Sequence, residues 1–217
     1  MDDNIWRRAE RPILWAALVV ALGWTLWPAG EWLYGWSTQR ALAAEWRAAQ
    51  NDHKEHTSNA PNNGAEKSAS AHSLTSASGR GTSTPIKEKW PPTRLMCSKI
   101  GLDAVVVEGV TPKALKWGPG HDPASALPGR GNCVIAAHRN AYGWWFRRLD
   151  SLDSGDIIVL ETPESRFIYR VATRQVLNDD DTGVLAQPQV SSLPRLTLYS
   201  CTLPKSERRV VVTAVLE

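Results

Sequence analysis

The chain has 217 residues, 42% of them hydrophobic, with a net charge of +3 and a mean hydropathy of -0.31, averages that suit one modest soluble domain. Its 25 basic and 22 acidic residues form no basic run, which excludes the clustered cationic surface a nucleic-acid binder needs. The three cysteines, Cys97, Cys133 and Cys201, are too few and too scattered for a disulfide scaffold or a two-pair zinc site. Their odd number leaves at least one thiol free to react if the chain works in an oxidising compartment.

The averages conceal unlike segments. Of 11 tryptophans, Trp6, Trp15, Trp24, Trp27, Trp32, Trp36 and Trp46 crowd the N-terminal arm. Residues 12–30, PILWAALVVALGWTLWPAG, carry no charge between Arg11 and Glu31. At about 1.5 Å per residue they span roughly 28 Å as a helix, close to the ~30 Å hydrocarbon thickness of a bilayer. Tryptophans at both ends suit the interfacial belt, and Arg7, Arg8 and Arg11 place residues 1–11 in the cytoplasm. The expectation is a single-pass membrane helix over 12–30, with the rest of the chain facing outward. A cleaved signal peptide competes through the small-x-small sequence Ala41-Leu42-Ala43, but that site lies far beyond the apolar run.

Residues 31–50 read as a juxtamembrane helix, with Trp32, Trp36, Leu42 and Trp46 near one face. Residues 51–90 then read as a flexible linker, because a stretch dominated by Ser, Thr, Ala, Asn, Gly and His buries too little surface to offset its ordering entropy. His53, His56 and His72 read as solvated linker histidines rather than a metal-binding tract.

Residues 91–217 have the size of one domain. The apolar runs VVVEGV, NCVIAAH, DIIVLET, RFIYRVATRQVL, RLTLYSC and RVVVTAVLE are rich in Val, Ile, Leu and Thr, with Gly, Pro, Asp and Ser clusters between them. A mainly β fold is expected, a closed or nearly closed barrel with short helical turns. His138 ends one apolar run and Cys201 another, while Arg208 and Arg209 open the last. Side chains at strand ends emerge at a barrel rim, where loops build clefts. A thiol, an imidazole and a guanidinium suit acyl transfer. The thiolate is the nucleophile, a nearby cation favours it, the imidazole moves protons, and a permanently charged fork holds a carbonyl oxygen or oxyanion.

The segments GPGHDPASALPGRGNCVIAAHRN, LDSLDSGDIIVLET, LTLYSC and RVVVTA, in that order, resemble the sortases, particularly the single-pass membrane sortases of the proteobacterial type. TLYSC is similar to that family's TLxTC motif, IAAHRN to its AGHRD motif, and RVVVTA to the strand its arginine opens. The resemblance runs through about residues 94–217 and implies an eight-stranded β-barrel. It implies Cys201 as nucleophile, His138 as general acid/base and Arg209 as the oxyanion or substrate-positioning residue. Arg209 is preferred to Arg208 because the family's arginine stands five residues before the alanine of the last strand, here Ala214. The implied reaction cleaves an LPxTG-like C-terminal sorting signal through a thioacyl enzyme and passes the protein to an amine, cell-wall or pilin-like. No cofactor or metal is implied, and the implied location is the inner membrane with the barrel on the periplasmic or extracellular side. The chain departs from the pattern at Ala137, Asn140 and Ser200, and in the short connection TLPKSER after Cys201.

Other residues take blander readings. Ser200 is expected to keep a hydroxyl at the cleft, and Trp144 and Trp145 either line that cleft or anchor a loop. His121, in GPGHDP, reads as structural. Cys97 and Cys133 read as packing residues, with a disulfide between them as the alternative. Asp179, Asp180 and Asp181 read as a solvated acidic turn rather than a calcium site. Two other function classes fit the sequence, a membrane-anchored cysteine endopeptidase that hydrolyses the same kind of signal and a non-enzymatic tethered β-domain.

Overall fold

The computed structural model describes residues 4–58, 89–178, 180, 181, 183, 186, 193–201 and 207–217. One helix, α1 (Asn4–Ser58), precedes the strands β1 (Thr93–Cys97), β2 (Leu102–Glu108), β3 (Gly120–His121), β4 (Asn132–Ala136), β5 (Ile157–Glu161), β6 (Arg166–Asn178), β7 (Arg195–Cys201) and β8 (Arg208–Leu216). Among the described residues these eight strands close a barrel in the order β1-β2-β3-β4-β7-β8-β6-β5, as expected of a mainly β fold.

Two pairings are parallel, β2 with β3 and β4 with β7, and the rest are antiparallel. Period-two alternation sends one face of each strand into the barrel. Leu196, Leu198, Val210, Val212 and Ala214 point inward from β7 and β8, where they meet Cys133, Ile135 and Ala137 from β4 and its extension. Leu95, Ile158, Leu160 and Tyr169 complete the interior from the opposite wall, each at 0% exposure. Burial of each such side chain stabilises the fold by about 1.5–3 kcal/mol before entropy is counted.

The structure adds three things to the expectations for the N-terminal arm. First, α1 runs through Ser58, eight residues into the stretch expected to be linker. Asp52 and His56 sit one turn apart at 3.5 Å, and the Thr57 hydroxyl donates to the His53 carbonyl at 2.8 Å, so polar side chains extend the helix locally. Residues 59–88 of that expected linker lie outside the described residues. At its far end Trp90 belongs to the barrel, buried with its Nε1 donating to the Val106 carbonyl at 3.3 Å.

Second, the face of α1 that meets the barrel runs through Gly35, Gln39 and Trp46, while Trp32 and Trp36 are exposed. The reason lies at the edge of β2, whose residues before Val107 have no strand partner on the β3 side among the described residues. The Gln39 carboxamide fills that gap. Its Oε1 accepts from Val105 N at 2.7 Å, and its Nε2 donates to the carbonyls of Val105 and Trp117 at 2.9 Å each. Buried backbone groups demand such partners.

Third, among the described residues no helix is long and apolar enough to cross a membrane. The expected span over 12–30 falls partly outside them, since the side chains at 12–14, 24, 25 and 27–29 are not among those described.

Candidate active site

Cys201 closes β7 and Arg209 lies one residue into β8, and the antiparallel register sets them directly opposite one another. Opposed residues of an antiparallel pair share a face. The Arg209 Nη1 donates to Cys201 Sγ at 3.8 Å, while its guanidinium lies 5.7 Å from the centre of the Tyr199 ring. Both residues are half-buried. Because Ser200, Val210 and Leu198 point into the barrel, alternation turns Cys201 and Arg209 to its outer face.

His138 arrives from the other side of β7. The parallel register pairs Ala136 with Tyr199, and Ala137 N extends the ladder by donating to the Tyr199 carbonyl at 3.3 Å. Two residues further along both strands stand His138 and Cys201. With Ala137 in the core, His138 turns to the outer face and is half-buried. The three residues singled out in the sequence therefore gather at one end of the β4-β7-β8 wall.

Two buried contacts hold this end together. The Ser200 hydroxyl donates to the Ala137 carbonyl at 2.7 Å, joining the residues before the cysteine and the histidine. Ser200 is thus an interior latch rather than a cleft hydroxyl, because its neighbour Cys201 takes the outward position on a period-two strand. Beyond His138, buried Arg139 pairs with Asp150, and Phe146 N donates to the His138 carbonyl at 3.3 Å.

The two tryptophans of the following loop take different places. Trp145 packs against the core and lines a cavity of about 360 Å3 between α1 and the barrel, with Trp36, Arg40, Trp46 and Arg94. Trp144, at φ 55, carries the Arg147 guanidinium 4.9 Å from its ring centre. Of the two, Trp145 therefore takes the loop-anchoring place.

On the outer wall the same faces of β7 and β8 continue from the cysteine and arginine to Thr197 and Thr213. These line a cavity of about 140 Å3 with Asn132, Thr173, Gln175 and Val211. Thr197 donates to Asn132 Oδ1 at 2.8 Å, and Asn132 Nδ2 donates to the Ala186 carbonyl at 3.1 Å, tying part of the β6–β7 connection to β4. Burial pushes the Tyr199 phenol up from its ordinary value, the nearby Asp122 charge adds to this, and the Arg209 charge opposes it.

The remaining candidates lie elsewhere. Cys97 and Cys133 are free and buried, and burial raises both thiols from their ordinary value, Cys133 by far the more. His121 is 2% exposed and stacks on Trp90 with ring centres 3.9 Å apart. Its Nδ1 lies 2.9 Å from Glu108 Oε2, and its Nε2 lies 3.0 Å from Ser125 Oγ. That Ser-His-Glu string is structural, since the serine hydroxyl donates to the Asp122 carbonyl at 2.7 Å and accepts from Val134 N at 3.0 Å. Asp181 Oδ1 accepts from Gly183 N at 2.8 Å, and Asp179 lies outside the described residues. Among the described residues no group of three or more His, Cys, Asp or Glu could hold a metal.

The model of the sortase domain matches residues 95–217, more than half of the chain. The chain belongs to the sortase family. Two curated sortases of Streptomyces coelicolor are similar over short stretches. Sortase SrtE2 is 37% identical over 75 residues, and Sortase SrtE1 is 44% identical over 43 residues. The matches cover 31% and 20% of this sortase and only 30% and 12% of those relatives. Among solved structures, the Clostridium perfringens Sortase D5 transpeptidase matches with a TM-score of 0.61 and 25% identity, over 83% of this chain and 99% of its own. Sortase E of Streptomyces avermitilis matches with a TM-score of 0.53 and 28% identity, over 59% of this chain and 88% of its own. These relatives come from Streptomyces and Clostridium, so family membership stands, while the proteobacterial type remains a reading of the motifs. Sortases are cysteine transpeptidases, and the closed eight-stranded barrel of this chain fits that family.

Proposed function

We propose that this sortase cleaves an LPxTG-like C-terminal sorting signal with Cys201 as nucleophile, His138 as general acid/base and Arg209 as the oxyanion and substrate clamp, and passes the protein to an amine. The observation that carries the assignment is the 3.8 Å approach of Arg209 Nη1 to Cys201 Sγ at the strand end beside His138. A guanidinium at this distance stands where its planar fork can hold the oxygen of a carbonyl under attack by the sulfur.

In the first half-reaction the Cys201 thiolate attacks the scissile carbonyl carbon and the Arg209 fork holds the oxygen as charge builds on it. The C–N bond breaks, His138 protonates the departing amine, and a thioester remains on Cys201. In the second, an acceptor amine attacks the thioester and gives a proton to His138. A new amide forms, and the thiolate of Cys201 returns. The cavity beside Thr197 and Thr213 lies on the same outer faces of β7 and β8 as Cys201 and Arg209 and suits an extended peptide lying against these strands. The apolar run over 12–30 supports a membrane-anchored arrangement of the proteobacterial kind, with the barrel on the outer side.

The test is cleavage of a fluorogenic LPxTG-type peptide by the full chain, with and without an added amine, and mass spectrometry of the products. An amine-linked product that disappears in Cys201→Ala is expected. Equal behaviour of wild type and Cys201→Ala across several peptide contexts would overturn the assignment, and hydrolysed product alone in the presence of amine would replace transfer by endopeptidase activity.

A further inference from the structure

Helix α1 touches the candidate active site through a residue without a side chain. A Cβ on Gly35 would stand 2.6 Å from the Tyr142 carbonyl carbon, 2.7 Å from its oxygen and 2.8 Å from Gly143 N. All three are backbone atoms, so the helix lies directly against the 142–143 peptide, and only glycine permits that approach. Four residues on, Gln39 fixes α1 to the β2 edge through its three hydrogen bonds, so the contact at Gly35 is anchored.

The segment under Gly35 is strained. Tyr142, Gly143 and Trp144 are consecutive left-handed residues, with φ of 48°, 96° and 55°. Left-handed backbone at a tyrosine or a tryptophan costs of order 1–3 kcal/mol each and persists only where surroundings enforce it. Here α1 presses from one side, and the Trp145 ring lies within 2.5 Å of where a Gly143 Cβ would be. The enforced turn sets the Tyr142 ring 5.3 Å from the His138 imidazole, tilted by 50°. Lys116 Nζ stands 5.4 Å from the centre of the Tyr142 ring.

We propose that Tyr142 is a positioning residue for His138, and that docked α1 holds it there through the Gly35 contact. The inference rests on His138 being the acid/base of the proposed reaction. An imidazole that serves a thiol and then an amine must keep one orientation, and a displacement of about 1 Å at such a group can cost on the order of 100-fold in rate. The arm before the tether is then part of the catalytic apparatus as well as its anchor.

The experiment compares full-length Gly35→Ala with Gly30→Ala on the same helix, where nothing lies within 4 Å of the added Cβ. Both substitutions raise helix propensity by about 1 kcal/mol, so helix stability does not separate them. Two readouts are taken, kcat and KM on the peptide substrate and the Cε1–H resonance of His138 in histidine-labelled protein, assigned through His138→Gln. Gly35→Ala is expected to move the His138 resonance and lower kcat by about tenfold or more with little change in KM, while Gly30→Ala leaves both as in wild type.

Tyr142→Ala is expected to repeat the loss, and Tyr142→Phe, which keeps the ring, to recover most of it. These variants decide the matter should Gly35→Ala fail to fold. An unmoved His138 resonance with kcat within about twofold of wild type in both Gly35→Ala and Tyr142→Ala would overturn the proposal. Should wild type itself show no acyl transfer, the proposed reaction fails, while the resonance still reports whether α1 and Tyr142 set the imidazole.

Discussion

Arg209 faces Cys201 across β7 and β8, with its Nη1 3.8 Å from the sulfur. The pair is built on backbone register, so the guanidinium is held by the sheet rather than by a mobile loop. Replacing Arg209 with Ala is expected to lower kcat by roughly 100- to 1,000-fold, the range for loss of one preorganised oxyanion donor. Arg209→Lys keeps the charge but not the planar fork and is expected to fall between the two. Steady-state kinetics on the fluorogenic peptide check both, and an Arg209→Ala enzyme within about threefold of wild type would remove Arg209 from the clamp role.

Only one of the three thiols combines exposure with a cation. Cys201 is half-buried beside Arg209, whereas Cys97 and Cys133 are buried with raised pKa values. A limiting dose of iodoacetamide at neutral pH is expected to label Cys201 alone in the folded chain, with all three labelled after denaturation. Peptide mapping reads the sites.

The Ser200 latch predicts a stability effect that starts next to the nucleophile. Ser200→Ala removes the donor to the Ala137 carbonyl and is expected to cost about 1–3 kcal/mol, as for other buried groups that lose a partner. Chemical denaturation of the full chain measures it. The midpoint should fall without a change in slope, and an unchanged midpoint would show that the bond contributes nothing net.

Asn132 links Thr197 to the Ala186 carbonyl. Asn132→Ala frees the connection beside the outer-wall cavity while leaving the cysteine end of β7 in place. The expected signature is a several-fold rise in KM with kcat nearly kept, since binding rather than transition-state contacts are lost. A fall in kcat at constant KM would assign Asn132 to the chemistry instead.

Stability is expected to decline in mild alkali for a reason located at Cys133. Burial, followed by the Glu108 charge, holds this thiol protonated in the folded state well above the ordinary range. In the unfolded chain it ionises near pH 8.5. Below that pH both states keep the proton and folding loses nothing. As pH rises further only the unfolded state releases it, so stability falls by up to about 1.4 kcal/mol per pH unit until the folded pKa is reached. Thermal unfolding at pH 8 and pH 10 should show a smaller decline in Cys133→Ala than in wild type.

The sequence by itself determined the barrel and singled out the residues proposed for its chemistry. Runs such as NCVIAAH, RLTLYSC and RVVVTAVLE announce strands because short stretches rich in Val, Ile, Leu and Thr are bounded by turn-forming and polar residues, and the same runs display His138, Cys201 and Arg209 at or near their ends. Less legible were β1, whose TRLMC mixes charge with apolar residues, and β3, two residues defined by pairing alone.

What the tertiary structure decided was which end faced which. The parallel register of β4 with β7 and the antiparallel register of β7 with β8 are contacts between residues 63 and 8 to 20 positions apart, and no local pattern encodes the first. Docking of α1 was hidden for a similar reason. No sequence pattern showed that the barrel meets α1 through a hydrogen-bonding amide at Gln39 and a missing side chain at Gly35. Both are answers to an open sheet edge and a strained loop that exist only once the barrel has closed.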